Sequence, residues 1–330
     1  MSLLMELQAK TDVFHTNVPQ KPQGRYAHFV LVRETESFPL FQTDGTLNVI
    51  RVRAGVEHSD VITRLVLFKR KQSSPERLTG RELLRYYNVI SDAPNTANRC
   101  VYNSADFCKK CPDCIMYGYA IGSAGAEKSK VYVDSAFSIT PYEKSHKAFS
   151  FNALYEHGTM TDKGETRSSF GEQDYVVPQV FFPSVVTLRD PTYESFLYVF
   201  GNLLRTDRYG AQETRTGKVF NHIVGVVFTN GEIFSNLHYT QQVFDLLQQN
   251  GSVPDLLERN AVLGAATQAY TRLIAQEPVA RVAEYIHEQA QSLSQEVIAL
   301  YGNSDQTKQM LQTLNQVTEK YAKEYGALKK

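Results

Sequence analysis

An α+β fold is what this sequence predicts, and three observations carry the prediction. Segments rich in β-branched and aromatic residues, divided by turn formers, fill most of residues 1–239. Residues 240–330 carry apolar side chains at helical intervals almost throughout. All four cysteines, Cys100, Cys108, Cys111 and Cys114, cluster within the strand-rich part. A strand-rich front and a helical end make an α+β layout.

The elements follow in order. After a loose lead with Pro19, Pro22 and Gly24, YAHFVLVRETESFPLF alternates and reads as one strand or a bent pair. LNVIRVRAG and ITRLVLFKRK are further strands, the second ending in Lys69, Arg70 and Lys71. In RLTGRELLRYYNVI, Thr79 can open a helix with Glu82 as its capping-box partner, which sets Arg81 and Arg85 on one face. The cysteine region ends in Gly118, Gly122 and Gly125, either a turn or a close backbone approach to a phosphate, without P-loop spacing. SKVYVDSAFSIT, KAFSFNALYEHGTM and VFFPSVVTL are strand-like. Phe196, Val199, Phe200, Leu203 and Leu204 form the apolar stripe of a helix that should stop near Gly210. A turn at Gly217, a strand at IVGVVF and a tight turn at Asn230-Gly231 come next. Beyond Tyr239 four helical stretches, one of them PVARVAEYIHEQAQSLSQEVIALYG, are divided by Gly251, Pro254, Pro278 and Gly302.

The chain of 330 residues is 42% hydrophobic and 21% charged, ordinary values for a globular protein with a large core. No apolar run is long enough to cross a membrane, and MSLLMELQAKTDVFHTN has no secretory pattern, so a cytoplasmic location is expected. The 35 basic and 35 acidic residues cancel. Between Arg51 and Lys110, however, bases outnumber acids, as they would on a phosphate-binding surface or on solvated strand and helix faces.

Four clustered cysteines need a shared cause, and in a reducing compartment metal ligation is the natural one. The two-residue gaps between Cys108, Cys111 and Cys114 suit a zinc knuckle, with Cys100 as fourth ligand. An iron–sulfur cluster, disulfides and free thiols are the alternatives. A closed four-thiolate shell leaves no position for water, so such a metal holds structure and does no catalysis.

Eight histidines show no metalloprotease spacing, and there is no serine elbow or Walker lysine. Asp44, Asp60, Asp162 and Asp174 lie in polar stretches and could hold magnesium for a nuclease, or simply sit in turns. RTDRYGAQETRTGKVFNH interleaves Arg205, Arg208, Arg215, Lys218 and His222 with Tyr209 and Phe220. Cations for phosphates and rings for bases are what single-strand recognition requires; a solvated hairpin has the same composition.

Together these stretches resemble the backbone subunits of type I-D CRISPR surveillance complexes, in the repeat-associated mysterious protein superfamily. VISDAPNTANRCVYN with CKKCPDCIMYGYAIG, FNALYEHGTM, and LLRTDRYGAQETRTGKVFNHIVGVVF carry the resemblance, which covers most of the chain. It implies a modified RRM or ferredoxin-like core over 1–239. An inserted zinc knuckle over about 92–130 and a protruding hairpin over about 205–222 belong to that core, with a helical part over 240–330 packed on it. The function it implies is non-catalytic: copies line up along CRISPR RNA beside other subunits and present the guide to invading DNA, with base pairing supplying specificity. The RNA-contact candidates are then Arg99, Arg208, Arg215, Lys218 and His222, joined on charge alone by Lys69, Arg70 and Arg81. Lys109 and Lys110 are candidates for contact with target DNA. A magnesium-dependent nuclease of the same superfamily and a zinc-bearing protein-interaction module are the rival expectations.

Overall fold

The computed structural model describes residues 2–122, 125–156, 158–159, 161–166, 170–248 and 253–326. Gly251 and positions 157 and 160 of KAFSFNALYEHGTM lie outside them. The main elements are α1 (Leu3–Gln8), β1 (Tyr26–Thr35), α2 (Lys69–Tyr86), α3 (Pro112–Met116), β2 (Val131–Val133), β3 (Phe181–Arg189), α4 (Tyr193–Arg205), β4 (Val219–Thr229), α5 (Asn236–Leu247), α6 (Arg259–Ile274), β5 (Arg281–Ile286), α7 (Glu288–Gly302) and α8 (Ser304–Glu324).

The five strands make one antiparallel sheet in the order β5-β4-β1-β3-β2. Every residue of β1 from Ala27 to Thr35 is buried. The two-residue period of a strand sends Ala27, Phe29 and Leu31 toward one core and Val30 and Val32 toward another. On the first face α2, α4, α7 and α8 bring Leu84, Phe196, Phe200, Leu293 and Leu314 against the sheet. On the second, α5 and α6 bring Tyr239, Val243, Ala266 and Tyr270. With both faces covered, the aromatic residues that face the two cores have no open surface on which to stack a ligand, whereas Phe220 near the start of β4 is 49% exposed. A smaller sheet joins Val49–Arg53, Val61–Leu67 and Ala136–Pro141, and a separate hairpin pairs His146–Asn152 with Phe170–Val176.

Three expectations are corrected. Helix α2 starts at Lys69, ten residues before Thr79, so the basic triplet opens a helix instead of closing a strand. Pro75 lies inside it, and because a proline cannot donate to the carbonyl four residues back, the Lys71 carbonyl is left to accept the Gly210 N–H at 3.4 Å. The helical tail contains β5, whose pairing with β4 places part of 240–330 in the main sheet. Finally, 205–222 does not protrude, although Arg208 and Lys218 meet in an antiparallel bridge as in a hairpin. α4 ends at Arg205, and the segment after it folds down: Tyr209 and Thr216 are buried, the Ala211 N–H donates to the Leu40 carbonyl and that of Gly217 to Phe38. The exposed hairpin is the one at 146–176, whose first strand is mostly solvent-facing.

Candidate metal centre and basic cleft

The knuckle is shaped by local geometry before any ion is considered. Cys111 caps α3, with Pro112 at the first helical position, where its fixed φ suits the turn; Cys114 follows on the same turn. Lys109 takes a left-handed φ of 64°, which turns the loop so that the Cys111 N–H reaches Cys108 Sγ at 3.3 Å. The Cys108 N–H similarly reaches Cys100 Sγ at 3.5 Å. Gly118 closes the far end: a Cβ there would lie 2.5 Å from the Glu127 carbonyl oxygen, so this glycine serves chain packing and not a phosphate.

The four sulfurs all lie within 4.8 Å of one another and could hold a metal ion. Cys100 is 3.8 Å from Cys111 and 3.7 Å from Cys114, and Cys108 is 3.9 Å from Cys114. One tetrahedral ion bonded at about 2.3 Å to each sulfur requires sulfurs about 3.8 Å apart, so the donor set fits. The separations are nearly twice a disulfide bond. A multi-iron cluster, which divides four cysteines between two irons or among four, would hold sulfurs on different irons further apart. Burial pushes the Cys111 thiol up, whereas hydrogen bonds from the other three cysteines draw Cys100 down.

Arg81, expected to contact RNA, instead belongs to this centre. It is fully buried, donating to Asp113 at 2.6 Å, to the Cys100 carbonyl at 2.6 Å and to Cys100 Sγ at 3.5 Å. Burial disfavours its charge, but Asp113 and Cys100 outweigh that and hold the guanidinium above its ordinary pKa. Arg77, one turn earlier, grips the other side of Asp113 at 2.7 and 2.9 Å and also donates to the Gly118 carbonyl. The helix register sets both arginines inward. The pair Arg77 and Arg81, four residues apart, was a readable signal, obscured because the helix start was placed too late.

The other candidates are dispersed. Arg99 is held inside the cysteine loop by Asp106 at 2.8 Å. Lys110 pairs with Glu319 of α8 at 3.1 Å, and Lys109 is half-buried beside it. His222 Nε2–H donates at 2.7 Å to the buried Glu34 carboxylate, which Arg259 also engages; burial lowers the pKa of the imidazole against the pull of that carboxylate. Lys218 pairs with Asp207 at 2.7 Å, and exposed Arg208 donates to the Thr216 carbonyl at 2.7 Å. Asp44 sits at a left-handed turn position, and Asp60 is exposed at the end of a loop whose backbone it closes.

What the fold does bring together is Arg70 and Arg208, across more than 130 residues of sequence, while Lys69 lies with Arg70 in a second cleft. A cleft of about 420 Å³ between α2 and the segment after α4 is lined by Arg70, Lys71, Arg205 and Arg208, with hydroxyls from Ser74 and Thr79. Glu82, Asp207 and Glu213 line it as well, Asp207 being engaged by Lys218. On the other side of the same helix turn, Lys69, Arg70 and Arg77 line a second cleft of about 270 Å³ with Tyr102, Tyr117 and no carboxylate. Burial and the adjacent Arg70 hold the Lys71 ammonium below its ordinary pKa, against the pull of Asp44. Lys71 and Arg205 were counted in the sequence but not assigned; their closeness is a product of topology alone.

The wall opposite α2 is fixed from beneath. The Tyr209 hydroxyl donates to Glu76 at 3.2 Å and accepts from Asn221 at 2.7 Å. Arg33, fully buried, reaches Glu76 at 2.9 Å and Asn221 at 2.8 Å. Both bonds to Glu76 end on Oε1 and its buried Oε2 has no hydrogen-bond partner among the described residues, yet the network still ties the segment to α2 and β1.

Fold and site together define an α+β protein with a four-cysteine knuckle locked to its core beside a basic cleft. The chain belongs to the Csc2 CRISPR family: the family model described as Csc2 Crispr matches residues 13–311. Among solved structures, the crystal structure of Thermofilum pendens Csc2 superposes with a TM-score of 0.61 at 14% identity, covering 98% of each chain. A chain of a CRISPR RNA-guided surveillance complex gives 0.46 at 10% identity, over 82% of this chain and 92% of that one. A pre-nicking form gives 0.48 at 8%, over 84% and 99%. The likeness in fold rests on the first. No curated protein matches. Family membership gives the protein a role in a CRISPR complex. Among the described residues, no helix is long and apolar enough to cross a membrane.

Proposed function

We propose that the protein is a non-catalytic, RNA-binding backbone subunit of a type I-D surveillance complex, copies of which line up along CRISPR RNA and expose the guide to invading DNA. The carrying observation is the first turn of α2. It holds Lys69, Arg70 and Lys71, no acidic residue and no side-chain cap, and it faces both clefts. Cations at a helix N-terminus oppose the helix dipole, so this turn is electrostatically unfavourable on its own and becomes favourable when an anion such as a backbone phosphate is bound. Strand order supports a ferredoxin-like core: β4-β1-β3-β2, with α2 between β1 and β2 and α4 between β3 and β4, is the β-α-β-β-α-β plan, to which β5 adds an edge.

In the cysteine site Cys100, Cys108, Cys111 and Cys114 would hold a structural zinc, which clamps the knuckle and leaves no open position for chemistry. The outer rim of the knuckle, including Lys109, is the proposed side toward target DNA. Changing Arg70, Lys71, Arg205 and Arg208 together to alanine should weaken binding to all single-stranded RNAs alike. If each of the four meets one phosphate, the slope of log affinity against log salt falls by about 3. A folded variant with unchanged affinity and slope would reject the cleft as the RNA site. Cleavage of labelled RNA or DNA in magnesium by the intact protein would reject the non-catalytic reading.

A further inference from the structure

The smaller of the two clefts beside α2 has walls from two parts of the chain. Helix α2 supplies Lys69, Arg70, Ser73, Ser74 and Arg77. The opposite wall comes from the cysteine region: Tyr102 lies between Cys100 and Cys108, and Tyr117 caps the end of α3. Three cations and two serine hydroxyls thus line a space of about 270 Å³ that, among the described residues, no carboxylate lines. The first cleft differs in this, since Glu82, Asp207 and Glu213 belong to its lining.

Arg77 joins this cleft to the knuckle. Its Nε and Nη2 donate to Asp113 and to the Gly118 carbonyl, while Nη1 has no partner among the described residues, although the side chain is only 12% exposed. Unused N–H groups on a mostly buried cation favour an anion as their acceptor. The Tyr102 ring centroid lies 4.9 Å from the Arg77 guanidinium and 5.7 Å from that of Arg81, and the ring meets Phe107 edge to face at 6.1 Å. Tyr102 therefore keeps its place only while the loop from Cys100 to Cys108 is folded. From the cleft to the sulfurs the order is Arg77, Asp113, Arg81 and Cys100, each in contact with the next.

We infer that this cleft binds a phosphate group and that its binding is linked to retention of the metal, because the four cysteines hold one wall of the cleft in place. The inference deepens the reading of α2 as an anion-binding element and does not depend on the ligand being RNA. Phosphate suits the site better than a carboxylate does: cations and hydroxyls that come from different directions match a tetrahedral acceptor, whereas a carboxylate is planar. Four thiolates around a divalent ion would carry two negative charges, but the chain of contacts between them and the cleft holds two arginines against one aspartate. A ligand that binds only the closed knuckle stabilises it by RT ln(1 + [L]/Kd), and metal loss through opening slows by the factor 1 + [L]/Kd. By reciprocity, removal of the metal weakens phosphate binding.

The test uses the full chain loaded with zinc, a chromogenic chelator, and either inorganic phosphate or single-stranded RNA as probe, with acetate as the contrasting anion and ionic strength held constant. At ten times its Kd, phosphate should slow zinc release about elevenfold, and the metal-free protein should bind phosphate more weakly in equilibrium dialysis. Lys69→Ala/Ser73→Asp changes two side chains that line this cleft and not the first. That variant should release zinc as wild type does without phosphate and should not respond to the probe. Slowing by inorganic phosphate supports a site for the free ion, and slowing by RNA alone supports one for a phosphodiester. Release unchanged by both probes overturns the inference, as does equal slowing by acetate or an undiminished response in the double variant. The alanine variant of the first cleft tests RNA binding separately, so either reading can fail while the other stands.

Discussion

Asp113→Asn is the substitution that most directly tests how the knuckle is tied to the fold. Asp113 is fully buried between Arg77 and Arg81, whose side chains are 12% and 0% exposed. Asparagine has the same shape but one acceptor oxygen where three charge-assisted hydrogen bonds now end, and its amide group would face a guanidinium donor against donor. Each charge pair contributes on the order of 4 kcal/mol of gross attraction at an effective dielectric of 20 and 4 Å, most of it offset by desolvation. Removing one partner leaves the cations buried and uncompensated, which costs about 3–5 kcal/mol. For a chain of this size that is a fall in Tm of roughly 4–7 °C. Because Arg81 also holds the Cys100 carbonyl and sulfur, any bound metal should be released faster to a chromogenic chelator. Arg81→Ala should show the same pair of effects, and the double variant should lose much less than the sum. An Asp113→Asn protein that melts within about 2 °C of wild type and releases metal at the same rate would refute the reasoning.

Three further predictions concern single sites. Cys111→Ser should abolish stoichiometric metal and raise hydrogen exchange across 99–122 while leaving α5 and α6 protected, as elemental analysis and exchange mass spectrometry would show; retention of a full metal equivalent contradicts it. Burial pushes His28 down to about 4, where it bridges the Thr187 and Thr229 hydroxyls. Its folded pKa lies below the unfolded value of 6.5, so the unfolded chain binds the extra proton: stability is complete above pH 6.5 and falls by up to roughly 3 kcal/mol as pH drops toward 4. His28→Gln should flatten that acid limb in thermal melts at pH 7 and pH 4.5, and an unchanged limb would exclude His28 as its source. Gly55→Ala places a Cβ 1.6 Å from the Asp245 carboxylate, which accepts the Val56 and Glu57 N–H groups and contacts His58 Nδ1 at 2.8 Å. A loss of about 1–3 kcal/mol with faster exchange at 54–60 is expected, and neither effect should appear if the loop can simply move aside.

The cysteine site was legible because its four thiols are close in sequence and their spacing has few chemical uses. Arg81 was misassigned for a local reason: Pro75 and the basic triplet look like the end of an element, so the helix was begun at Thr79 and its buried face was rotated. β5 was hidden in a stretch with helical neighbours and no breaker before Gly302, since an edge strand is selected by the sheet it joins. The segment after α4 has turn signals at Gly210 and Gly217 that fit a free hairpin equally well. Its folded-down position depends on Tyr209 meeting Glu76, a contact no local pattern encodes. The basic cleft shares that property: its cations were visible one by one, and only the topology joins them.

The sheet order also sets a timetable for the nascent chain. Of this sheet's five strands β1 is the first to be synthesised and the central one, yet its two ladder partners begin at Phe181 and Val219. At ribosomal speeds of about 5–20 residues per second, the stretch HFVLV waits roughly 7–30 s before its first neighbour exists. Throughout that interval an uncharged apolar strand with two open edges travels with the growing polypeptide. Slower translation of the region between Arg53 and Phe181, or a shortage of holding chaperones, would therefore reduce the yield of folded protein without altering a single native contact.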